Sequence, residues 1–228
     1  MCVTRTTACG LLCLSLGLTA CGPAAPAEIP EPVTPAVALP AAWTATPALL
    51  FTPEAGWSAI VGTDVQLWLP ESYHGGDPAT HFDELLTLLD SLPPEYDLLA
   101  ESLRQNPSAW VFLALDASEK GSVVGITRKE NAPPDLTAAA YLEGAVPVFE
   151  NEVPGTSVLD QGLTTLGGES VGWLVLEITT PGSLTRQLSY TFVRPPLIWT
   201  VSFAVAAEDF EAQRPMFEKS ILSFRVLE

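Results

Sequence analysis

The sequence predicts an α+β fold in which a mostly antiparallel sheet is sandwiched by helices. Pairs of apolar-alternating segments flank short turns, which is the pattern of antiparallel hairpins. Helical patterns occur only after the first hairpin, in mid-chain and at the C-terminus, so regular helical crossovers do not separate the strands. The composition, 47% hydrophobic and 16% charged, is typical of a folded domain rather than a disordered chain.

The predicted elements follow from residue periodicity and from the positions of Pro and Gly. A first helix begins with Thr80 as N-cap and stops at Pro93, after a polar loop over 71–79. A short second helix starts at Glu95, and a third is capped by Asp135 and fails around Gly144 and Pro147. The last helix has two parts, with Pro215 opening the second part, before an end segment over 224–226. The predicted strands are 57–61, 65–69, 110–115, 122–127, 156–163, 171–178, 188–192 and 197–205.

The N-terminus has the anatomy of a lipoprotein signal peptide over residues 1–20. A polar start containing Arg5 precedes the apolar run Leu11 to Leu18, which is too short to span a bilayer. The run ends in Leu18-Thr19-Ala20-Cys21, which resembles the lipobox of bacterial lipoproteins. The resemblance implies cleavage before Cys21, lipid attachment at Cys21, and a location in the cell envelope on the extracytoplasmic side of a membrane.

Residues 21–53 are predicted to be a tether, and residues 54–228 a single globular domain. The prediction of a tether rests on proline content, because Pro cannot donate to a helix or ladder hydrogen bond. The prolines are Pro23, Pro26, Pro30, Pro32, Pro35, Pro40, Pro47 and Pro53. Fully extended at ~3.1 Å per residue, it would reach about 100 Å. It would hold the domain clear of the bilayer.

Cysteine usage and charge exclude several kinds of site. The four cysteines are Cys2, Cys9, Cys13 and Cys21, so a chain cleaved before Cys21 has no disulfide, thiolate metal site or cysteine nucleophile. The formal net charge of −17 opposes binding of nucleic acid and of anionic lipid head groups. It suits a basic partner or divalent cations, although solubility alone also explains it.

The order of elements resembles the PsbP-like fold, an α/β/α sandwich named after an extrinsic subunit of photosystem II. Residues 54–228 carry the resemblance through Gly56-Trp57, the segment Leu67 to Tyr73, the helix after it, and the ending Phe210 to Phe224. The family includes many bacterial lipoproteins, and its fold serves as a binding module with diverse partners. The resemblance therefore implies a fold but transfers no site residue.

Two segments contain candidate chemical groups. Gly168 to Gly172 matches the G-x-S-x-G nucleophile elbow, but it leads into a strand and no histidine follows it. The segment from Tyr73 to Glu84 gathers both histidines and several carboxylates at the start of a helix. Imidazole and carboxylate ligands suit Zn, Mn or Fe, so the candidate metal ligands are His74, Asp77, His81 and Glu84. A solvated loop with an ordinary helix start is the simpler interpretation.

The six tryptophans could line a ligand pocket, although aromatic residues in strand patterns more commonly pack the core. The leading hypothesis is a lipid-anchored binding or accessory protein without catalytic activity or cofactor, engaging a protein partner or small ligand. The alternative is a metal-binding protein or metal-dependent enzyme using the His74–His81 loop. A third hypothesis is a structural envelope protein whose tether and acidic surface matter most.

Overall fold

The structure is a computed structural model that describes residues 51–91, 96–118 and 121–227. The predicted signal peptide, Cys21 and nearly all of the predicted tether therefore lie outside the described residues. The strands are β1 Trp57–Gly62, β2 Val65–Pro70, β3 Tyr73–Gly76, β4 Phe112–Asp116, β5 Val123–Lys129, β6 Thr156–Leu166, β7 Glu169–Thr180, β8 Ser183–Arg194, β9 Leu197–Ala206 and β10 Arg225–Val226. The helices are α1 Phe82–Asp90, α2 Asp97–Gln105, α3 Ala138–Glu152 and α4 Phe210–Ile221, with a 3-10 turn at Pro107–Ala109.

The strands form two antiparallel sheets, which confirms the predicted α+β class. The larger sheet has seven strands in the order β3-β4-β5-β9-β8-β7-β6, and the smaller has the order β1-β2-β10. The predicted first hairpin is present, with Gly62 paired to Val65. The last four long strands form a meander of consecutive hairpins, and the β6–β7 turn is made by Gly167 and Gly168 at φ values of 59° and 87°.

One face of the large sheet is covered by α4 and the small sheet. Phe217 of α4 is fully buried, and its ring stacks on Phe203 of β9 at a centroid distance of 5.0 Å. Val65, Leu67 and Leu69 of β2 belong to the same core. Every second residue of β2 and of β9 is thus apolar and buried in the layer between the sheets, as predicted for those strands.

The opposite face carries two separate helical layers. Helices α1 and α2 cover β4 and β5 through a core that includes Leu103, Trp110 and Leu113. Helix α3 covers β6 and β7 through a core that includes Leu142 and Leu174. Among the described helices, none combines the length and apolar character that a bilayer crossing requires.

The prediction of a polar loop over 71–79 was wrong for residues 73–76, because Tyr73–Gly76 forms edge strand β3. Its register pairs Gly75 with Ala114 and Gly76 with Leu113. A Cβ on Gly75 would lie 2.2 Å from the carbonyl oxygen of Leu113, and one on Gly76 would lie 2.7 Å from that of Val61. The two glycines therefore allow close approach of neighbouring backbones rather than marking a loop.

Two predicted helix caps were also displaced. Helix α1 begins after His81, and the Thr80 hydroxyl instead donates to the Asp77 carboxylate in the preceding turn at 3.2 Å. Helix α3 begins after Thr137, whose hydroxyl accepts from the backbone N–H of Ala140 at 3.2 Å. Asp135 lies two residues before that cap and outside the helix.

Both predicted helix interruptions at proline were wrong. Helix α3 continues through Gly144 and Pro147, and α4 is continuous through Pro215. Each proline is exposed, so the carbonyl that loses its helical N–H partner can be hydrated. Packing of apolar residues on both sides of each proline, such as Leu142 and Phe149 in α3, holds the helix together across it.

Candidate functional site

The predicted metal-binding segment forms one wall of an open groove. A groove of about 460 Å³ is lined by His74 on β3, by Asp83, Glu84, Thr87 and Leu88 on α1, and by Ser91 just after the helix. His81 lies at the N-cap position of α1, and its Nδ1 atom is 3.1 Å from Oε2 of Glu84. The i,i+3 spacing of these two residues thus brings them into contact at the helix start.

The remaining candidate ligand, Asp77, is used in the turn before α1. Its carboxylate accepts from the backbone N–H of Ala79 at 2.9 Å and from the Thr80 hydroxyl at 3.2 Å. Within residues 51–91, 96–118 and 121–227, no group of three or more His, Cys, Asp or Glu side chains is arranged to hold a metal ion. The structure thus brings together His81 and Glu84 but not the full predicted ligand set.

A buried polar cluster, missed in the sequence, separates the two helical layers. It consists of Gln187 and Ser189 on β8 and Ser202 on β9, all at most 8% exposed. Gln187 Nε2 donates to Ser189 Oγ at 2.7 Å and lies 3.3 Å from Ser202 Oγ, and the two serine hydroxyls are 2.9 Å apart. The Gln187 carbonyl Oε1 has no hydrogen-bond partner among the described residues.

Cross-strand pairing explains the position of this cluster. Gln187 pairs with Ala204, which pairs with Val123 of the α1–α2 core, and on its other side Gln187 pairs with Leu176 of the α3 core. The polar side chains therefore lie where one apolar layer ends and the other begins. The cluster holds no charged group, so it offers hydrogen bonding but no acid–base chemistry.

Three tyrosines are largely shielded from solvent. Tyr73 and Tyr190 lie in the core between the sheets, and Tyr141 lies on α3 at the opposite face. Burial raises the pKa of all three above the ordinary value. A hydrogen bond between Tyr141 and Thr200 lowers the pKa of Tyr141 by a smaller amount, and it ties α3 to β9. Tyr73 is hydrogen-bonded to Ser122. The three hydroxyls are neutral at physiological pH, and those of Tyr73 and Tyr141 serve as structural hydrogen-bonding groups.

The G-x-S-x-G segment forms the tip and start of a hairpin. Gly168 lies in the β6–β7 turn, and Ser170 is exposed on β7 opposite Thr165. Arg194 Nε donates to Glu169 Oε2 at 2.9 Å, which raises the pKa of the Arg194 guanidinium. A nucleophile elbow requires a strand followed by a helix. Here a strand is followed by a strand, so the glycines of this segment have a turn-forming role.

The tryptophans of the described chain have packing roles. Trp110 and Trp199 are 3% and 2% exposed. Trp68 contacts Phe51 at a ring-centroid distance of 5.8 Å, and Trp173 packs over Gly162 at the edge of the main core. Trp43 lies outside the described residues.

The β6 edge of the large sheet is the second exposed feature of interest. Among the described residues, β6 has a strand neighbour only on its β7 side. Leu159 and Leu163 on β6 are 47% and 51% exposed, whereas Val158 packs against α3. Leu159 occupies a bulge at which the pairing register with β7 shifts. The sequence predicted this strand but not its place at the edge.

Comparison with known proteins identifies similarity only in structure. No protein family model and no curated protein matches the chain. The solution structure of cyanobacterial PsbP from Synechocystis sp. PCC 6803 is similar, with a TM-score of 0.49, 12% identity, and coverage of 76% of this chain and 94% of that one.

Two further solved structures are similar at comparable levels. LpqN, involved in cell envelope biogenesis of Mycobacterium tuberculosis, has a TM-score of 0.48 and 11% identity, with coverage of 75% of this chain and 91% of that one. The Ran-binding protein Mog1p of Saccharomyces cerevisiae has a TM-score of 0.44 and 8% identity, with coverage of 72% and 91% respectively.

Proposed function

We propose that this chain is a lipid-anchored, extracytoplasmic binding or accessory protein without catalytic activity. The observation that carries the proposal is the segment Leu18 to Cys21 after a short apolar run, followed by the proline-rich residues 22–53. The first strand of the folded domain begins at Trp57, only a few residues beyond Pro53. A lipid on Cys21 would therefore connect through the tether to the start of β1.

The geometry of the domain supports binding rather than chemistry. Ser170 stands on a hairpin strand, Asp77 is used in a turn, and the polar cluster around Gln187 carries no charge. The exposed apolar side chains of β6 instead offer contact area to another molecule. We therefore propose that the domain engages a protein partner, or a small ligand, in the cell envelope.

The test compares the native chain with Cys21→Ala in intact cells. Metabolic labelling with an alkyne-bearing fatty acid is expected to label the native chain in the membrane fraction and to leave the variant unlabelled. Crosslinking followed by mass spectrometry is expected to capture one dominant partner with the native chain and to lose it with the variant. A variant that is still labelled and membrane-bound would contradict anchoring at Cys21.

A metal-binding role is the second candidate, and the contact of His81 with Glu84 beside the His74 groove favours it. Titration of the purified chain with Zn²⁺ tests it directly. Stoichiometric binding that disappears in His81→Ala and in Glu84→Gln would support the candidate. Equal binding by both variants and the native chain would exclude a site at this position.

A further inference from the structure

We propose that the outer edge of β6 binds an extended, basic segment of a partner protein by strand addition. This deepens the proposed binding function and rests on it, because it names the docking surface and the chemistry of the partner. In strand addition, main-chain hydrogen bonds supply affinity while alternate side chains supply specificity.

The hairpin geometry determines which backbone groups of β6 point outward. The turn at Gly167 and Gly168 closes on the pair Leu166 and Glu169, and a two-residue turn with two positive φ values hydrogen-bonds its flanking pair. Hydrogen-bonded and non-hydrogen-bonded pairs alternate along an antiparallel ladder. The N–H and C=O groups of Leu163 and Thr165 therefore point away from β7.

The two edges of the large sheet differ in how well they are protected from pairing with another strand. At one edge, β3 has four residues and its Gly76 lies close to the Val61 carbonyl of β1, so that edge is short and covered. At the other edge, β6 has eleven residues with neither Pro nor Lys and a single charged residue, Asp160. Exposed edges are commonly blocked by Pro, Lys, bulges or a covering element. From Gly162 to Leu166, β6 has none of these among the described residues.

The Asp160 carboxylate marks one end of the open segment. Its Oδ1 atom accepts from the backbone N–H of Gln161 at 2.9 Å, which occupies a donor that a new strand would otherwise use. The bulge at Leu159 lies just before it. The available docking segment is therefore Gly162 to Leu166, within which the Leu163 side chain is exposed.

The acidic residues of α3, which packs on β6, favour a basic partner at this edge. Helix α3 packs on β6 and has exposed Glu143, Glu150 and Glu152 but no basic residue between Ala138 and Glu152. A second copy would bring two such acidic helices and two Asp160 side chains together, which like-charge repulsion opposes. The chain's own residues 22–50 contain Glu28 and Glu31 but no Lys or Arg, so they do not complement the acidic surroundings of the edge. An extended partner segment flanked by Lys or Arg would pair with the free backbone groups of β6 and complement the negative charge of α3 and Asp160.

The experiment uses the full chain and two synthetic peptides that differ only in flanking charge. Both have a core of alternating Val and Thr; one carries Lys at each end and the other carries Glu. Fluorescence anisotropy is expected to show binding of the Lys peptide alone, weakened by added salt. Hydrogen exchange measured by NMR is expected to show protection of the Leu163 and Thr165 amides in that complex. Equal binding of the two peptides, or binding without this protection, would overturn the proposal.

Matched variants separate backbone, side-chain and charge effects. Leu163→Pro removes an outward N–H without removing a bond to β7, whereas Leu163→Ala keeps that N–H. We expect the first to weaken binding about tenfold and the second by less than about threefold. Replacing Glu143, Glu150 and Glu152 with Gln is expected to weaken binding of the Lys peptide about fivefold. Similar affinities for the two Leu163 variants, each with unchanged circular dichroism, would contradict strand addition.

Two other occupants of the edge are a second copy of the chain and the chain's own N-terminal segment. Either one would protect the Leu163 and Thr165 amides in the absence of peptide, and that result would overturn the proposal. Sedimentation would then distinguish a dimer from a monomer. If Cys21 is not labelled but the peptide still binds, the lipid anchor is refuted and the docking surface is not.

If Cys21 is labelled but Leu163→Pro still captures the partner, the docking surface is refuted and the anchored binding function is not.

Discussion

Gly125 of β5 is expected to be intolerant of even one added methyl group. A Cβ at this position would lie 2.3 Å from Cζ3 and 3.0 Å from Cε3 of Trp110. Carbon atoms pack at about 3.5–4.0 Å, so Trp110 or β5 must move by more than about 1 Å. Trp110 is 3% exposed and packs with Leu103 of α2. Since overpacking of a close-packed core costs about 1–3 kcal/mol, Gly125→Ala should lose that much stability.

Urea unfolding followed by tryptophan fluorescence and by circular dichroism measures this loss. A domain of this size shifts its melting temperature by about 2–4 °C per kcal/mol, so the variant should melt about 2–12 °C lower. Gly144→Ala is the matched control, because Gly144 is exposed on α3 and no atom beyond the nearby helix backbone lies within 4 Å of the added Cβ. That control should gain about 0.5–1 kcal/mol from helix propensity. Unchanged stability of Gly125→Ala would refute the packing of Trp110 on β5.

Three further predictions concern stability. Thr137→Ala should cost about 1 kcal/mol in urea unfolding through loss of the α3 cap, whereas Thr137→Ser should cost little; equal losses would contradict the capping role. Phe217→Ala should cost about 3–5 kcal/mol, and Phe217→Leu clearly less; a loss below about 1 kcal/mol for the alanine variant would contradict full burial. Because burial raises the pKa of Tyr73, Tyr141 and Tyr190, their contribution to stability is complete below about pH 10 and falls as the pH rises further. Absorbance at 295 nm should show these tyrosines ionising only with unfolding; their titration near pH 10 in the folded chain would contradict this.

The long hairpins could be predicted because their sequence pattern is local. Leu188, Tyr190 and Phe192 alternate with polar residues, and Gly167 with Gly168 permits the positive φ angles of the turn. Strand β3 could not be predicted in the same way. Its glycines are required by the nearby carbonyls of Leu113 and Val61, which are distant in sequence.

The helix errors have a similar cause. Pro147 and Pro215 are unfavourable inside helices by local propensity, yet buried residues on both sides of each proline keep α3 and α4 continuous. The α3 cap moved to Thr137 because Leu136 N–H bonds to the carbonyl of Pro133, which places Asp135 in a turn. Tertiary packing and turn hydrogen bonds, rather than sequence propensity, determine these boundaries.

The candidate sites also differ in whether local sequence or tertiary structure determines them. His81 and Glu84 are three residues apart, and their contact follows from the local geometry of a helix start. The cluster around Gln187 depends on the boundary between two helical layers, and the open edge of β6 depends on strand order. Neither property is encoded in a local pattern, so neither could be predicted from periodicity.

Site-specific photo-crosslinking in intact cells tests anchored partner binding at β6 most directly. A photoreactive residue at Leu163 on β6 is compared with one at Val61 on β1, since the two positions are 51% and 50% exposed. We expect the Leu163 probe to capture one dominant protein through a Lys- or Arg-containing segment, and Cys21→Ala to abolish that capture. Identical capture from Leu163 and Val61, or capture unaffected by Cys21→Ala, would contradict anchored binding through the β6 edge.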